Sequence, residues 1–322
     1  MNGLTEISRR GKWRFFAGLL LPLLCQSCFT GIESTPRITY KDVRRENITV
    51  NPAEEMGERF AAVPFSQWQP GRRFTVTDPK ASMVYLAPVG KRAEVATGDC
   101  LAYCGVRGVP SIMGKDVAEL VFVRLPQMTD TLLYRPGADV ASLAERGSLH
   151  LPFMVDLDMV SAVAGVLSGK EMYTRTDRWL NERGNEIKGR KFVRVRVDSV
   201  LPGDESYPFC VYFSSLEKKE ERGAVMMSPT VGEGVPALRG FSSLFVLTDP
   251  RESYPQISDT NWELIRQGRL ANGMTAQEAS LALGSPRDIY RRPDQSILYE
   301  RWTYPGGVYL IFEDGVLTRF QQ

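Results

Sequence analysis

The chain has 322 residues, of which 43% are hydrophobic and 24% charged, and its 40 basic residues nearly balance its 38 acidic ones. This composition is typical of a globular protein and excludes disordered and collagen-like chains. The small net charge gives no electrostatic indication of nucleic-acid binding. The only histidine, His150, excludes centres built from several imidazoles. We therefore expect no nucleic acid, no metal and no cofactor.

Residues 1–27 have the pattern of a secretory signal peptide. Arg9, Arg10, Lys12 and Arg14 precede an apolar run of ten residues, 15–24. A helix needs roughly 20 apolar residues to cross a membrane, so this run predicts export and not a transmembrane anchor.

The signal ends in the sequence LLCQSC over residues 23–28, which resembles the lipobox of bacterial lipoproteins. In a lipobox, a cysteine that follows a small residue is acylated, for example with palmitate. Cys28 follows Ser27 and is the predicted lipidation site, whereas Cys25 follows a leucine. An ordinary cleaved signal peptide is the alternative. The resemblance implies a lipid-anchored protein of the outer membrane that faces the periplasm.

Residues 28–58 are polar and charged, and they are interpreted as a tether between the lipid and the folded region. Beyond the lipobox three cysteines remain in an oxidising compartment, where disulfides persist. Cys100 and Cys104 are close enough in sequence to be candidates for a short disulfide, although both could stay reduced. Cys210 lies in an apolar run and is predicted to be a buried thiol.

Two β-rich modules are predicted over residues 59–150 and 151–258, because short runs of β-branched and aromatic residues alternate with Gly, Pro and Asp. The clearest strand covers residues 192–197, where three valines alternate with arginines. Further strands are predicted over residues 82–87, 117–125, 207–213 and 241–247. The second module also contains one predicted helix, residues 157–167.

A short internal repeat indicates that the two modules are related. The pentapeptides at residues 74–78 and 173–177 share an aromatic-Thr-x-Thr-Asp pattern, and each follows a Gly-basic pair. A match of five residues can also arise by chance from common strand and turn residues.

Residues 259–322 are predicted to form a small C-terminal domain. Thr260 with Glu263 and Thr275 with Glu278 have capping-box spacing and open two helices. Gly306-Gly307 and Asp314-Gly315 are tight-turn dipeptides between three apolar runs. The whole chain is therefore expected to be α+β: a β-rich N-terminal region, then two helices packed on a three-stranded antiparallel meander.

This order of elements is accompanied by a set of motif residues: Gly273, Met274, Thr275, Gly284, Pro286, Trp302, Tyr304 and Gly315. Together they resemble the SmpA/OmlA (BamE-like) domain. The resemblance implies a small outer-membrane lipoprotein of the machinery that inserts β-barrel proteins, with envelope proteins such as barrel-assembly components as partners. Each motif residue also has a structural explanation as a helix stop, a cap or a packing group. Because more than 200 residues separate Cys28 from this domain, contact residues of the family are not carried over.

Three functions remain open at the level of sequence. The first, which we favour, is a non-enzymatic envelope lipoprotein that binds other proteins. The second is a hydrolase, for which Asp156 and Asp158, or a serine with His150, would be the candidate groups. The third is a β domain that encloses a small molecule or lipid. An exposed aromatic surface would favour the first, convergent carboxylates in a pocket the second, and an apolar cavity the third.

Overall fold

The computed structural model describes residues 52–88, 92–111, 114, 116–128, 130–230, 239–294 and 297–321. The predicted signal peptide, Cys28 and most of the predicted tether lie outside this part of the chain. The described residues form 16 strands and seven α-helices, so the protein is a strand-rich α+β protein, as the sequence predicts. The helices are α1 (Pro52–Glu58), α2 (Val140–Glu145), α3 (Leu157–Leu167), α4 (Phe241–Leu244), α5 (Pro250–Ser253), α6 (Asp259–Arg266) and α7 (Ala276–Leu283).

The first sheet has five antiparallel strands in the order β4-β3-β2-β1-β5. These strands are β1 (Arg73–Val76), β2 (Cys100–Pro110), β3 (Asp116–Arg124), β4 (Thr131–Tyr134) and β5 (Met154–Asp156). The first sheet therefore extends past the predicted module boundary at residue 150, because β5 lies beyond that boundary and pairs with β1.

The second sheet has seven strands in the order β12-β6-β9-β10-β11-β7-β8. They are β6 (Glu171–Thr174), β7 (Arg178–Leu180), β8 (Glu186–Lys188), β9 (Arg194–Pro202), β10 (Phe209–Ser215), β11 (Arg222–Met227) and β12 (Phe245–Val246). All neighbouring strands are antiparallel.

The chain follows the same path through both sheets. Without the hairpin β7–β8, the strands of the second sheet have the same order as the strands of the first. In this comparison β6, β9, β10, β11 and β12 correspond to β1, β2, β3, β4 and β5. Each sheet also has a β-bulge in its second strand, at Cys104 and Asp198. A common strand order with a bulge at the same place is the arrangement that two related modules require.

The matching pentapeptides, however, are not equivalent in the two sheets. Phe74 pairs with Leu101 and Met172 pairs with Val195, and in both cases the bulge follows three residues further on. Phe74 therefore corresponds to Met172, and not to Tyr173 as the pentapeptide match would place it. A shift of one residue moves a side chain to the opposite face of a sheet, so the sequence match is coincidental in register.

Two predicted strands, 82–87 and 241–247, differ from the structure, because each segment begins in a helical turn. Within residues 241–247 a helical turn, α4, precedes the two-residue strand β12, and Phe241, Leu244 and Phe245 are buried at positions i, i+3 and i+4. Within residues 82–87 the chain leaves a 3₁₀-helix capped by Asp78. The predicted helix over residues 157–167 is confirmed as α3.

All described residues belong to one compact unit, which contains three separate hydrophobic cores. The first and second cores lie under the first and second sheets, and the third belongs to the C-terminal domain. The last residues of the predicted tether are folded, because they form α1, which packs into the second core. Its contacts use small residues, Ala53 and Gly57, with Phe60 beside Phe241 at 5.6 Å between ring centroids. Small residues carry no hydrophobic periodicity, and this helix is therefore not predicted from the sequence.

The C-terminal domain consists of α6 and α7 on a four-stranded antiparallel sheet, and not on three strands as predicted. The strands are β13 (Asp288–Asp294), β14 (Ile297–Thr303), β15 (Tyr309–Glu313) and β16 (Val316–Gln321), paired in that order. The additional strand, β13, lies at the edge and contains Pro293. An edge position tolerates proline because one side of the strand needs no partner.

Candidate interaction site

The first motif residues hold the loop before α7 against the turn between β15 and β16. The backbone amide of Gly273, at φ 90°, donates to the carbonyl of Leu317 over 2.8 Å. The next side chain, Met274, is fully buried in the third core. Gly315, at φ 79°, forms the tight turn and accepts a hydrogen bond from the amide of Ala276. These three motif residues therefore join one helix to one hairpin.

Thr275 and Glu278 form the predicted capping box at the start of α7. The Thr275 amide donates to Oε2 of Glu278 over 2.7 Å, and the amide of Glu278 donates back to the Thr275 hydroxyl. Asn261 of α6 donates to the other carboxylate oxygen of Glu278 over 2.7 Å. Burial acts to raise the pKa of Glu278, but the hydrogen bonds from Thr275 and Asn261 outweigh it and lower the pKa. The predicted box at Thr260 differs, because Ser258 caps α6.

We expect Glu278→Gln to lower the free energy of unfolding of the C-terminal domain by about 1 kcal/mol at pH 7. The pKa of Glu278 is lower in the folded protein, so its charge stabilises the fold above the unfolded pKa of about 4.3. This stabilisation is lost as the pH falls through the folded pKa. Urea unfolding should therefore show a larger difference between the two proteins at pH 7 than at pH 3. Glu145→Gln, at an exposed site in α2, is the control. An equal difference at both pH values would contradict the role of the charge.

Gly284, Pro286 and Tyr304 close the other end of α7. Gly284 ends the helix at φ 87°, and its carbonyl accepts a hydrogen bond from the Tyr304 hydroxyl over 3.0 Å. Burial raises the pKa of Tyr304 to about 12. Pro286 follows two residues after the helix stop and leads the chain into β13.

Trp302 is the central side chain of the third core. It is buried, and its ring centroid lies 4.7 Å from that of Phe312. Its indole nitrogen donates to Oε2 of Glu300 over 3.0 Å. With the contacts above, this places all eight motif residues in helix stops, caps, turns or the core. The motif thus describes the scaffold of the domain.

The surface that this scaffold presents is the hairpin β13–β14. Four large apolar side chains of this hairpin are exposed: Ile289 by 39%, Tyr290 by 56%, and both Ile297 and Leu298 by 44%. Cross-strand pairing places Ile289 and Leu298 on the face of the hairpin that carries Trp302, and Tyr290 and Ile297 on the other. Exposed apolar groups clustered on one element are typical of protein-binding surfaces.

The hairpin also has an open edge and charged side chains. Among the described residues, β13 pairs with β14 on one side only. Arg291 binds Glu300 across the strands at 3.1 Å, and the guanidinium of Arg292 lies 5.1 Å from the centre of the Tyr299 ring. The hairpin therefore combines backbone groups that can accept another strand with apolar and cationic side chains. Sequence analysis missed it, because residues 288–294 have two adjacent apolar residues followed by two arginines and a proline, and so lack the alternation that predicts a strand.

Of the two alternatives for Cys100 and Cys104, the structure has the reduced one. Cys100 and Cys104 are free thiols within the single strand β2, with Cys104 at its bulge. Four residues of extended chain span roughly 10–13 Å, beyond the limit of about 7 Å between the α-carbons of a disulfide. Cys210 is a buried free thiol, as predicted, and burial raises its pKa.

The candidate acids of the hydrolase hypothesis are held by arginines. Asp156 caps α3 and binds Arg72 at 2.5 Å, while Asp158 binds Arg73 at 2.8 Å. Burial raises the pKa of Asp156 in spite of these contacts. The side chain of His150 is exposed and lies 3.4 Å from Glu205. These contacts tie β1 to α3 and the first module to the β9–β10 loop, which is a structural role.

Within the part of the chain that is described, no group of three or more His, Cys, Asp or Glu is placed to hold a metal ion. In the same residues, no helix has the length and apolar character to span a bilayer. The chain matches no family model, no curated protein and no solved structure. The resemblance to the SmpA/OmlA domain therefore stands on the motif residues alone.

Proposed function

We propose that this protein is a non-enzymatic envelope lipoprotein, lipid-anchored by Cys28 at the outer membrane, that binds other envelope proteins through its C-terminal domain. The observation that carries the proposal is the exposed apolar hairpin β13–β14. The lipobox-like sequence and the signal pattern support the location.

The hairpin suits a partner that adds a strand. Its edge backbone can pair with an extended segment, and the exposed side chains of Ile289 and Tyr290 on opposite faces of β13 can contact alternate side chains of that segment. Pro293 interrupts the edge, and the arginines beside it disfavour uncontrolled pairing. Such an edge accepts a matching partner while resisting aggregation.

The resemblance to the SmpA/OmlA domain supports partners among the proteins that assemble outer-membrane β-barrels. The motif residues build a scaffold that fixes β14, where the Trp302 ring packs on Phe312 and its indole nitrogen donates to Glu300. A strand that is already paired in a sheet loses less conformational entropy on binding than an unpaired one, which favours affinity. The two sheets then act as a spacer between the lipid and this surface.

Site-specific photocrosslinking tests this function. We expect benzoylphenylalanine at Tyr290 to form a light-dependent adduct with an outer-membrane or barrel-assembly protein, identified by mass spectrometry, in intact cells. The matched control carries the same group at Arg183, an exposed residue in the β7–β8 turn. In the Cys28→Ala background, the protein should leave the outer-membrane fraction and the adduct should be lost.

Equal adducts at both positions, or none at Tyr290 while the protein stays in the outer membrane, would refute the interaction surface. If the Cys28→Ala protein remains in the outer membrane, the lipid anchor is refuted independently. The two parts of the proposal therefore fail separately.

A further inference from the structure

A cleft of about 430 Å³ lies between the second module and the C-terminal domain. Its walls come from segments that are distant in sequence: Arg175, Lys191 and Phe192 on one side, and Tyr254, residues of the segment 276–285 and Trp302 on the other. This volume is within the range of small-molecule sites. The cleft does not include the exposed hairpin residues.

The charge of the cleft is positive. Arg175 and Lys191 line it, and none of the described residues that line it is a carboxylate. Ser280 and Ser285 add hydroxyl groups to the same wall. A group of this composition attracts a ligand with a negative charge and hydrogen-bond acceptors.

Lys191 is the buried member of the pair. Only 9% of the residue is exposed, and its Nζ donates to the carbonyls of Ala282 at 2.5 Å and Leu281 at 3.5 Å. Among the described residues, no carboxylate lies within salt-bridge distance of this ammonium. Burial lowers the pKa of Lys191, an effect that the more distant Asp177 partly offsets. An ammonium buried at a helix end without a carboxylate leaves positive potential in the cleft.

Arg175 is the accessible member. One guanidinium nitrogen donates to the carbonyl of Ser242 over 3.0 Å, which fixes the side chain at the rim of the cleft. A guanidinium has five N–H donors, so this contact leaves others to face a ligand. Its planar donor pair matches the two oxygens of a carboxylate.

The backbone beside Lys191 has an uncommon conformation. Phe192 has φ 55°, in the left-handed region that residues with a side chain rarely adopt. Lys191 and Phe192 lie in the turn before β9, and both contact the C-terminal domain. Phe192 stacks on Trp262 at 5.4 Å, while Lys191 reaches the end of α7. Strain of this kind often accompanies a functional site.

The remaining walls are aromatic. Tyr254, Phe192 and Trp302 line the cleft together with its two cations. Flat apolar walls beside a cation suit a ligand with both a charged group and an apolar body. The carbonyls at the end of α7 face the same cleft and oppose a dense negative charge such as a dianionic phosphate.

We propose that this cleft binds a small molecule with one carboxylate and an apolar or aromatic body. The carboxylate lies against Arg175 and is attracted by the positive charge of Lys191. The apolar body packs on Trp302 and Tyr254. The site shares Trp302 of β14 with the proposed protein-binding hairpin but none of its four exposed apolar side chains, and Arg175 lies outside the hairpin, so a variant of Arg175 tests the cleft alone.

Calorimetric titration of the purified full chain tests the site. The probes are benzoate and N-acetyl-phenylalanine, with N-acetyl-phenylalanine amide as the uncharged analogue and inorganic phosphate as the competing anion. We expect saturable binding of the carboxylates, no saturable binding of the amide, and about tenfold weaker binding of the carboxylates to Arg175→Gln. Arg178→Gln, which removes the same charge from an exposed site on β7, should bind as the wild type does.

Three results would overturn the assignment. The carboxylate and the amide could bind equally, inorganic phosphate could bind more tightly than every carboxylate, or no carboxylate could bind at millimolar concentration. Arg175 is exposed, so its replacement should leave the fold intact, and an unchanged circular dichroism spectrum would establish this.

Discussion

Gly189→Ala should lower the free energy of unfolding of the second module by about 3 kcal/mol, the upper end of the usual cost of overpacking a core. A β-carbon at this position would lie 2.2 Å from Cδ2 of Trp179 and 2.5 Å from Cε2. The indole cannot retreat: it is 1% exposed, its nitrogen donates to the Thr176 carbonyl over 2.8 Å, and the Phe213 ring lies 5.0 Å from it. Gly189 does not have a positive φ, so the cost comes from the clash alone.

Chemical denaturation followed by tryptophan fluorescence measures this effect, with Gly165→Ala as the control. Gly165 is exposed within α3, and a β-carbon there would meet no atom within 4 Å. Alanine stabilises an exposed helix by about 1 kcal/mol relative to glycine, so the control should move in the opposite direction. Adding Trp179→Phe to Gly189→Ala should recover part of the loss. An unchanged midpoint for Gly189→Ala would show that the indole does not lie against this glycine.

The elements that sequence predicts well are those whose signals are local. Helix α3 follows from an apolar run that begins after a capping aspartate, and β14 to β16 follow from alternation between tight-turn dipeptides. The order of strands in the sheets has no such signal. Pairing of β1 with β5, for example, joins residues about 80 positions apart, and only the folded chain shows it.

The candidate sites follow the same rule. Motif residues such as Thr275 and Gly284 were visible in the sequence because they have fixed local roles in helix caps. The exposure of Tyr290 was not, because tyrosine is intermediate between the buried and the exposed residue types and the sequence of β13 has no alternation that assigns it to a face. The cleft was not visible either, since Arg175 and Ser280 meet only when the second module and the C-terminal domain are packed together.

Trp302→Ala should lower the free energy of unfolding of the C-terminal domain by about 3–5 kcal/mol. The indole fills the centre of the third core beside Phe312. Its removal leaves a cavity and takes the indole donor away from Oε2 of Glu300. Amide hydrogen exchange resolves the effect by region, which matters because the described residues form three cores. Exchange should accelerate in β14 and β15 far more than in β9 and β10. Unchanged exchange in β14 would refute the structural role of Trp302.

Tyr290→Ala should change stability little and binding strongly. Comparison with Trp302→Ala therefore distinguishes a core residue from a residue of the binding surface. Tyr290 is more than half exposed, so its truncation should change stability by no more than about 0.5 kcal/mol. Its loss should instead abolish adduct formation by benzoylphenylalanine placed at the neighbouring Ile289. Trp302→Phe, which keeps an aromatic ring in the core, should retain both stability and adduct formation. If Tyr290→Ala destabilised the domain as Trp302→Ala does, the hairpin would be part of the core and the proposed binding surface would be excluded.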